Sequence, residues 1–245
     1  MAYHCVPHGR HRSQCPPPAY RASRRQDQDF KDARHRRKLM TFKPHEKLIY
    51  HITDITNLPA IMESGLLSDA VMAARGGHEI IGYPHIKQRR LEVITVDCCN
   101  SKYVGEFVPF YFCPRSPMLY TINRGGTGRA AGCQTEIIHL VSSVGRALPD
   151  DRDWAFSDGN AGACHTSFYH DLTAMADLDW SAINARSWQG KTHEKQAEFL
   201  VEEHVQWNRF HGIGCHNASV AQRVGAVLQN STHRPEVKVK NDWYY

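Results

Sequence analysis

Short apolar runs separated by polar turns dominate the chain, and long amphipathic stripes are few. Residues 48–53, Leu-Ile-Tyr-His-Ile-Thr, read as a strand. A polar turn at Asp54 follows, then an apolar-periodic helix that stops at Gly65. Thr53 or Asp54 can accept a hydrogen bond from the first free backbone N–H groups of that helix. Gly65 supplies the left-handed residue that ends it. Further strands are predicted at 93–96, 107–112, 136–141, 154–157, 197–201, 212–215 and 237–240. Pro109 marks the 107–112 strand as an edge or a bulge, because proline cannot donate to a ladder. Helices are predicted after Ser116, the cap before Pro117, after Ser142, around 167–175, and at 220–228. Residues 68–90 read as loop-rich with some helix, and 125–128 as a flexible glycine loop. No internal repeat is visible. The irregular mixture predicts one α/β or α+β domain rather than a regular parallel alternation.

A length of 245 residues allows one substantial core and a short appendage. No run of about 18 apolar residues occurs, so no membrane span is expected. The N-terminus lacks the apolar stretch of a signal peptide, and a cytoplasmic protein is expected. The eight cysteines contain no Cys-x-x-Cys pair, and reduced, mostly structural thiols are expected. The 16 histidines form no His-Glu-x-x-His motif, and no metal is expected. The net charge of +5 is unevenly placed. Residues 1–40 carry ten Lys and Arg against three acidic residues, and residues 41–245 carry 20 against 22. The first segment is rich in Arg, Gln, Pro and His, so a disordered basic extension is expected, followed by one domain over 41–245. Such an extension adds sequence-independent attraction to nucleic acid. An accessory tail, or Met40 as the true first residue, are the alternatives.

Several residues could carry chemistry. Glu198 lies in an apolar, strand-like run and must face solvent or a cleft, because an unpaired buried carboxylate is costly. A carboxylate on a strand edge can bind a sugar hydroxyl or hold a developing cation; the alternative is a solvent-facing position. His51, at a strand next to a helix N-terminus, suits a ligand bearing phosphates and hydroxyls, or is an ordinary core histidine. Arg89 and Arg90 offer forked donors for phosphate or a nucleobase edge, or form a solvated charge pair. Tyr111, Arg115, Met118 and Tyr120 interleave aromatic, basic and soft apolar groups that could stack a base; core packing is the alternative for the aromatics. The loop Gly125-Gly-Thr-Gly128 lacks the lysine and spacing of a phosphate-binding P-loop and is at most a hinge or lid.

Taken together, several blocks resemble the DarT family of bacterial DNA ADP-ribosyltransferases, usually toxins of toxin–antitoxin pairs. They are Tyr50-His-Ile-Thr53, Asn57-Leu58, Gly65-Leu66, Lys87-Gln-Arg-Arg90, the run from Phe110 to Tyr120, Gln196-Ala-Glu-Phe-Leu-Val201 and Trp243-Tyr-Tyr245. The resemblance covers about residues 45–245. It implies an α+β fold of the ADP-ribosyltransferase kind: a split, mainly antiparallel β core with surrounding helices and NAD⁺ in the cleft. It implies transfer of ADP-ribose to a base of single-stranded DNA, commonly thymine, by a monomer whose partner is a macrodomain-type ADP-ribosyl hydrolase. Carried over by motif, His51, Thr53, Asn57 and Leu58 line the NAD⁺ site, Glu198 is the catalytic Glu, and Arg89 the catalytic Arg, with Arg90 adjacent. Lys195 stands where a more Arg-rich run is expected. Two other readings remain at this point. One is an ADP-ribosyltransferase acting on RNA, another base or protein. The other is a non-catalytic module binding NAD or nucleic acid.

Overall fold

A computed structural model describes residues 41–75 and 81–245; the expected disordered extension over 1–40 lies outside the described residues. In chain order the strands are β1 (Leu48–Asp54), β2 (Leu66–Leu67), β3 (Thr95–Val96), β4 (Lys102–Tyr103), β5 (Phe107–Tyr111) and β6 (Ile137–Ser143). They continue with β7 (Trp154–Ser157), β8 (Phe168–Tyr169), β9 (Glu198–Glu202), β10 (His204–Val205), β11 (Gly212–Cys215) and β12 (Glu236–Val239). Eight of them form one sheet in the order β12-β11-β6-β1-β5-β9-β7-β8. Its neighbours are antiparallel except for the parallel pair β11–β12.

The sheet is split at its middle. β1 pairs with β6 along its whole length, from Leu48↔Ser143 to Asp54↔Ile137. β5 pairs with β9 from Phe107↔Glu202 to Tyr111↔Glu198. Between β1 and β5 the register holds a single pair, Tyr50↔Tyr111. Here the expectation for Pro109 needs correction. β5 is an interior strand, and Pro109 is tolerated because the ladder to β1 is open beside it. The His51 imidazole bridges that opening, with Nδ1 2.8 Å from the Pro109 carbonyl.

β6 is buried from Ile137 to Ser142, as befits an interior strand covered on both faces. Phe107, Phe110, Phe156 and Phe199 fill the core around β5, β7 and β9. The C-terminal segment closes the other half. Trp243 lies so close to Gly214 that a Cβ there would sit 2.4 Å from its ring. The Tyr244 hydroxyl donates to the Ile137 carbonyl at 2.8 Å. His139 is buried beside them, its Nε2 2.9 Å from the Pro114 carbonyl and its Nδ1 3.2 Å from the Tyr244 hydroxyl.

Most predicted elements form, with local corrections. The first unit follows its signals: Asp54 accepts from the Thr56 amide, the helix Leu58–Ser64 follows, and Gly65 has φ +78°. Ser116 caps the helix Pro117–Asn123. Ser143, not Ser142, caps the short helix Val144–Ala147, while the buried Ser142 hydroxyl donates to the Arg209 carbonyl. The helix expected around 167–175 is instead β8 followed by a 3₁₀ segment, Leu172–Asp177, because Tyr169 stacks on Phe156 across β7. In the segment read as loop-rich, the described residues form the helices Asp69–Arg75 and Pro84–Glu92.

Burial lowers the His139 pKa from 6.5 to about 4, despite its bond to the Pro114 carbonyl. The unfolded chain therefore takes up a proton near pH 6.5 that the folded chain takes up only near 4. Stability from this group is full above pH 6.5 and is lost as pH falls toward 4. Denaturant midpoints should drop between pH 7 and pH 4.5. His139→Gln, which keeps a donor, should cost about 1 kcal/mol at pH 7 and show a shallower pH slope. An unchanged slope in the variant would contradict the assignment.

Candidate active site

The gap between β1 and β5 opens into a cavity of about 490 Å³. Its walls come from several elements, among them the helix Leu58–Ser64 through Ile61, β2 through Leu66 and Leu67, and the helix Asp69–Arg75 through Asp69 and Met72. His51 and Thr53 lie on β1, with Asn57 just after it; Tyr111 and Glu198 lie on β5 and β9; Met118 comes from the helix after Ser116. The last wall is the helix Pro84–Glu92, through Ile86, Lys87 and Arg90, with Tyr83 just before it. These four positions follow i, i+3, i+4, i+7, one face of a helix.

Glu198 is the first residue of β9 and only 3% exposed. Its carboxylate lies 3.0 Å (Oε2) and 3.3 Å (Oε1) from Arg90 Nη1. Oε1 also accepts from the Ala161 amide at 3.1 Å. A buried carboxylate is thus paired rather than solvent-facing. The other arm of Arg90, Nη2, is buried with no hydrogen-bond partner among the described residues. Burial opposes the charge on Arg90, but the Glu198 carboxylate, helped by Asp69, holds its pKa above the usual arginine value. Asp69 also pairs with Lys87 at 2.8 Å, tying the helix Asp69–Arg75 to the wall helix.

Ser157 sets the position of Glu198. β7 and β9 pair from Trp154↔Val201 to Phe156↔Phe199, and the next step is made by a side chain. The Glu198 amide donates to Ser157 Oγ at 3.1 Å, and that hydroxyl donates to the Gly159 carbonyl at 2.7 Å. The ladder to β9 therefore ends one residue early and the chain curls back after Ser157, bringing the Ala161 amide to the carboxylate. Asn160 Nδ2 donates to Gln196 Oε1 at 3.0 Å, closing the same loop on the approach to β9.

On the opposite wall, the carbonyl of Pro109 can only accept, so His51 carries its proton on Nδ1 and leaves Nε2 bare. Burial lowers the His51 pKa to about 4, so the ring is neutral at physiological pH. Asn57 Nδ2 donates to Thr53 Oγ1 at 3.1 Å, fixing two cavity side chains against each other. Burial first, then the Glu198 charge, raises the Tyr111 pKa and keeps its phenol neutral.

Of the residues singled out in the sequence, His51, Thr53, Asn57, Tyr111, Met118 and Glu198 meet in this cavity. Leu58 does not; it is fully buried and outside the lining. Arg89 does not; it is exposed and off the lining face of its helix, whereas the adjacent Arg90 lines the cavity. Arg115 and Tyr120 lie outside the lining: Arg115 sits over the Tyr245 ring, and Tyr120 is exposed. Lys195 is buried, donating to the Ile183 carbonyl at 2.7 Å, so it faces the interior. Ser157, Ala161, Asp69 and Tyr83 were not anticipated. The helical spacing of Tyr83, Lys87 and Arg90 was the available signal for that wall.

Comparison with known proteins bears on this geometry. Residues 50–245 match the family model described as ssDNA thymidine ADP-ribosyltransferase, DarT. The chain is 36% identical over 204 residues to the DNA ADP-ribosyl transferase of Thermus aquaticus, covering 82% of this chain and 90% of that protein. Two structures of Thermus sp. 2.9 DarT superpose well. The complex with ADP-ribosylated ssDNA has a TM-score of 0.76 at 36% identity and covers 82% of this chain and 98% of that one. The complex with NAD⁺ has a TM-score of 0.72 at 33% identity, with 83% and 100% covered. A more distant relative, 23% identical over 76% of this chain and 47% of its own length, is a DNA ADP-ribosyl transferase–DNA ADP-ribosyl glycohydrolase fusion protein of Thermosipho africanus. With the split antiparallel sheet and a buried Glu–Arg pair at its cleft, this chain belongs to the DarT family of single-stranded-DNA ADP-ribosyltransferases.

Proposed function

We propose that the cavity between β1 and β5 binds NAD⁺, and that Glu198 and Arg90 transfer its ADP-ribose to thymine in single-stranded DNA, releasing nicotinamide. The observation that carries the assignment is the buried Arg90–Glu198 pair on the cavity wall, with one guanidinium nitrogen still unpartnered.

Breaking the nicotinamide–ribose bond leaves positive charge on the sugar. A carboxylate already held in a buried site stabilises that charge without reorganising, which makes such terms large. Glu198 is fixed by Arg90, by the Ala161 amide and, through its own amide, by Ser157. As the thymine ring nitrogen bonds to the sugar carbon, its proton must leave, and Glu198 is the base placed to take it. The free arm of Arg90 suits an oxygen of the substrate, a phosphate or the thymine carbonyl, whose polarisation makes the neighbouring N–H more acidic. His51, Thr53 and Asn57 offer a neutral imidazole, a hydroxyl and an amide to the dinucleotide. An unpaired base reaches such a site without the cost of leaving a duplex stack, which favours single strands.

Modified DNA bases harm the cell that makes them, so the enzyme acts as a toxin in the cytoplasm, where NAD⁺ and DNA are both present. Its natural counterpart is a macrodomain-type ADP-ribosyl hydrolase that removes the mark. The Thermosipho protein, which joins a transferase to a glycohydrolase in one chain, supports that pairing. Among the described residues, no helix is long and apolar enough to cross a membrane.

Incubation with NAD⁺ and thymine-containing single-stranded oligonucleotides should give one ADP-ribose adduct per target thymine, read by mass spectrometry. Modification of RNA or protein alone would overturn the acceptor. Glu198→Gln should lower kcat by about 10³-fold. Arg90→Lys should lower it by about 10²-fold, since lysine lacks the planar fork that sets one arm on Glu198 and turns the other to the substrate. Arg89→Ala should stay within about threefold of wild type, as expected of an exposed residue off the site. The reverse order for the two arginines would restore Arg89 as the catalytic one.

Ser157 makes a separate prediction. Ser157→Ala should lower kcat by about tenfold, the effect of losing a neutral hydrogen bond, while KM for NAD⁺ stays near wild type. Ser157→Thr, which keeps the hydroxyl, should recover most of the loss. Equal loss in both variants, or a rise in KM alone, would show that the hydroxyl does not position the carboxylate.

A further inference from the structure

His193 does not line the cavity, but it stands against the loop that leads from β7 to the Glu198 carboxylate. Its ring fills the space where a side chain at position 159 would go: a Cβ on Gly159 would lie 2.1 Å from the imidazole Cε1. Gly159 has no positive φ, so the glycine is there for close approach rather than for a left-handed turn. His193 Nε2 lies 3.5 Å from Asp158 Oδ1, and His165 of the same loop packs on the ring at 4.7 Å between centres. These contacts continue in step toward the site. His193 meets Asp158 and Gly159, Gln196 Oε1 accepts from Asn160 Nδ2, and Glu198 Oε1 accepts from the Ala161 amide. The two segments are thus joined at three successive points, of which His193 makes the first.

The loop is also tied to itself. Asp158 Oδ1 accepts from the Ser167 amide at 3.0 Å, Asn160 Oδ1 from the Gly162 amide at 2.7 Å, and the Asn160 carbonyl from the Thr166 hydroxyl at 2.6 Å. A loop bonded in this way moves as a unit, so whatever fixes its base also fixes the Ala161 amide. The Gly159 peptide is that base, held at its carbonyl by the Ser157 hydroxyl and at its Cα by the His193 ring. We infer that His193 is a positioning residue for ADP-ribose transfer: seated on Gly159 and beside Asp158, it keeps the Ala161 amide on the Glu198 carboxylate. A carboxylate that meets a developing cation works best when it need not reorient, and a fixed N–H donor supplies that restraint. Without the seat the loop draws back, Oε1 keeps only Arg90, and the carboxylate turns with the guanidinium. None of Asp158, Gly159, Asn160 and His193 lines the cavity, so the loss falls on the reaction step and not on NAD⁺ binding. The inference rests on the proposed role of Glu198, and it adds a residue that acts through the loop without touching either substrate.

The test measures kcat, KM for NAD⁺ and KM for a thymine-containing single-stranded oligonucleotide in the full-length protein, with thermal midpoints alongside. His193→Ala should lower kcat about tenfold, the effect of losing one neutral hydrogen bond to the carboxylate. Both KM values should stay within about twofold of wild type, since no substrate contact is removed. Gly159→Ala, whose methyl displaces the imidazole, should give the same split. The double variant should lose no more than the worse single, because both changes break one contact. His193→Gln, which keeps an N–H donor near the Nε2 position, should recover most of kcat. A raised KM for the oligonucleotide with kcat unchanged would make His193 a contact to the acceptor and overturn the inference. Losses that add in the double variant, or a fall in kcat that only tracks the thermal midpoint, would overturn it too. Wild-type transfer with kcat unchanged in both single variants would remove this inference alone. Wild-type protein that transfers nothing to the oligonucleotide would remove the proposed reaction, and His193 with it.

Discussion

A guanidinium and a carboxylate 108 residues apart, removed together from water, set the terms for the rest of this molecule. Burying one charge alone would cost several kcal/mol, and even a good pair seldom repays all of that cost. Such a pair is a poor way to gain stability, so its place at the edge of a cavity points to chemistry. The architecture around it serves this end. The open ladder between β1 and β5 makes the space, and the His51–Pro109 hydrogen bond holds the opening to a fixed width. The hydroxyl of Ser157 ends the β7–β9 ladder just short of Glu198, which frees the following loop to deliver an amide to the carboxylate. The Lys87–Asp69 bridge steadies the helix that brings Arg90.

The protonation states follow from the same burial. His51 is held neutral, with its one ring proton committed to a backbone carbonyl, so it enters the site as a hydrogen-bonding group rather than a cation. Tyr111 stays a phenol beside the Glu198 charge. On the proposed reading, the Glu198 carboxylate would meet a developing cation, while Arg90 would fork between that carboxylate and an oxygen of the substrate.

In the eight-stranded main sheet β8, only two residues long, was read as helix, but the other seven strands were legible in the sequence because they are short apolar runs with clear turn residues. So was the helix Ala218–Val227, whose Val220 and Val224 face the core. The helix Pro84–Glu92 was not, because the face it turns to the cavity mixes Tyr83 and Ile86 with the charged Lys87 and Arg90 and so lacks a continuous apolar stripe. The preference for Arg89 came from the family resemblance, which left the adjacent Arg90 open. Once the segment is helical, the periodicity puts Arg90 inside and Arg89 out. Glu198 stood out because a carboxylate in an apolar strand needs a reason, but its partner could not be read from local pattern. Ser157 left no local signal at all, since its role depends on where β7 stops relative to β9. The family resemblance supplied the activity, whereas the geometry supplied the partners.

The most direct test of the central pair is a double-mutant cycle by equilibrium unfolding at neutral pH. Arg90→Met alone strands a buried carboxylate and should cost about 3 kcal/mol. Arg90→Met combined with Glu198→Gln removes both charges and should recover much of that loss, giving strong coupling between the two positions. Two independent losses that simply add would mean that the guanidinium and the carboxylate do not share the buried site on which this account rests.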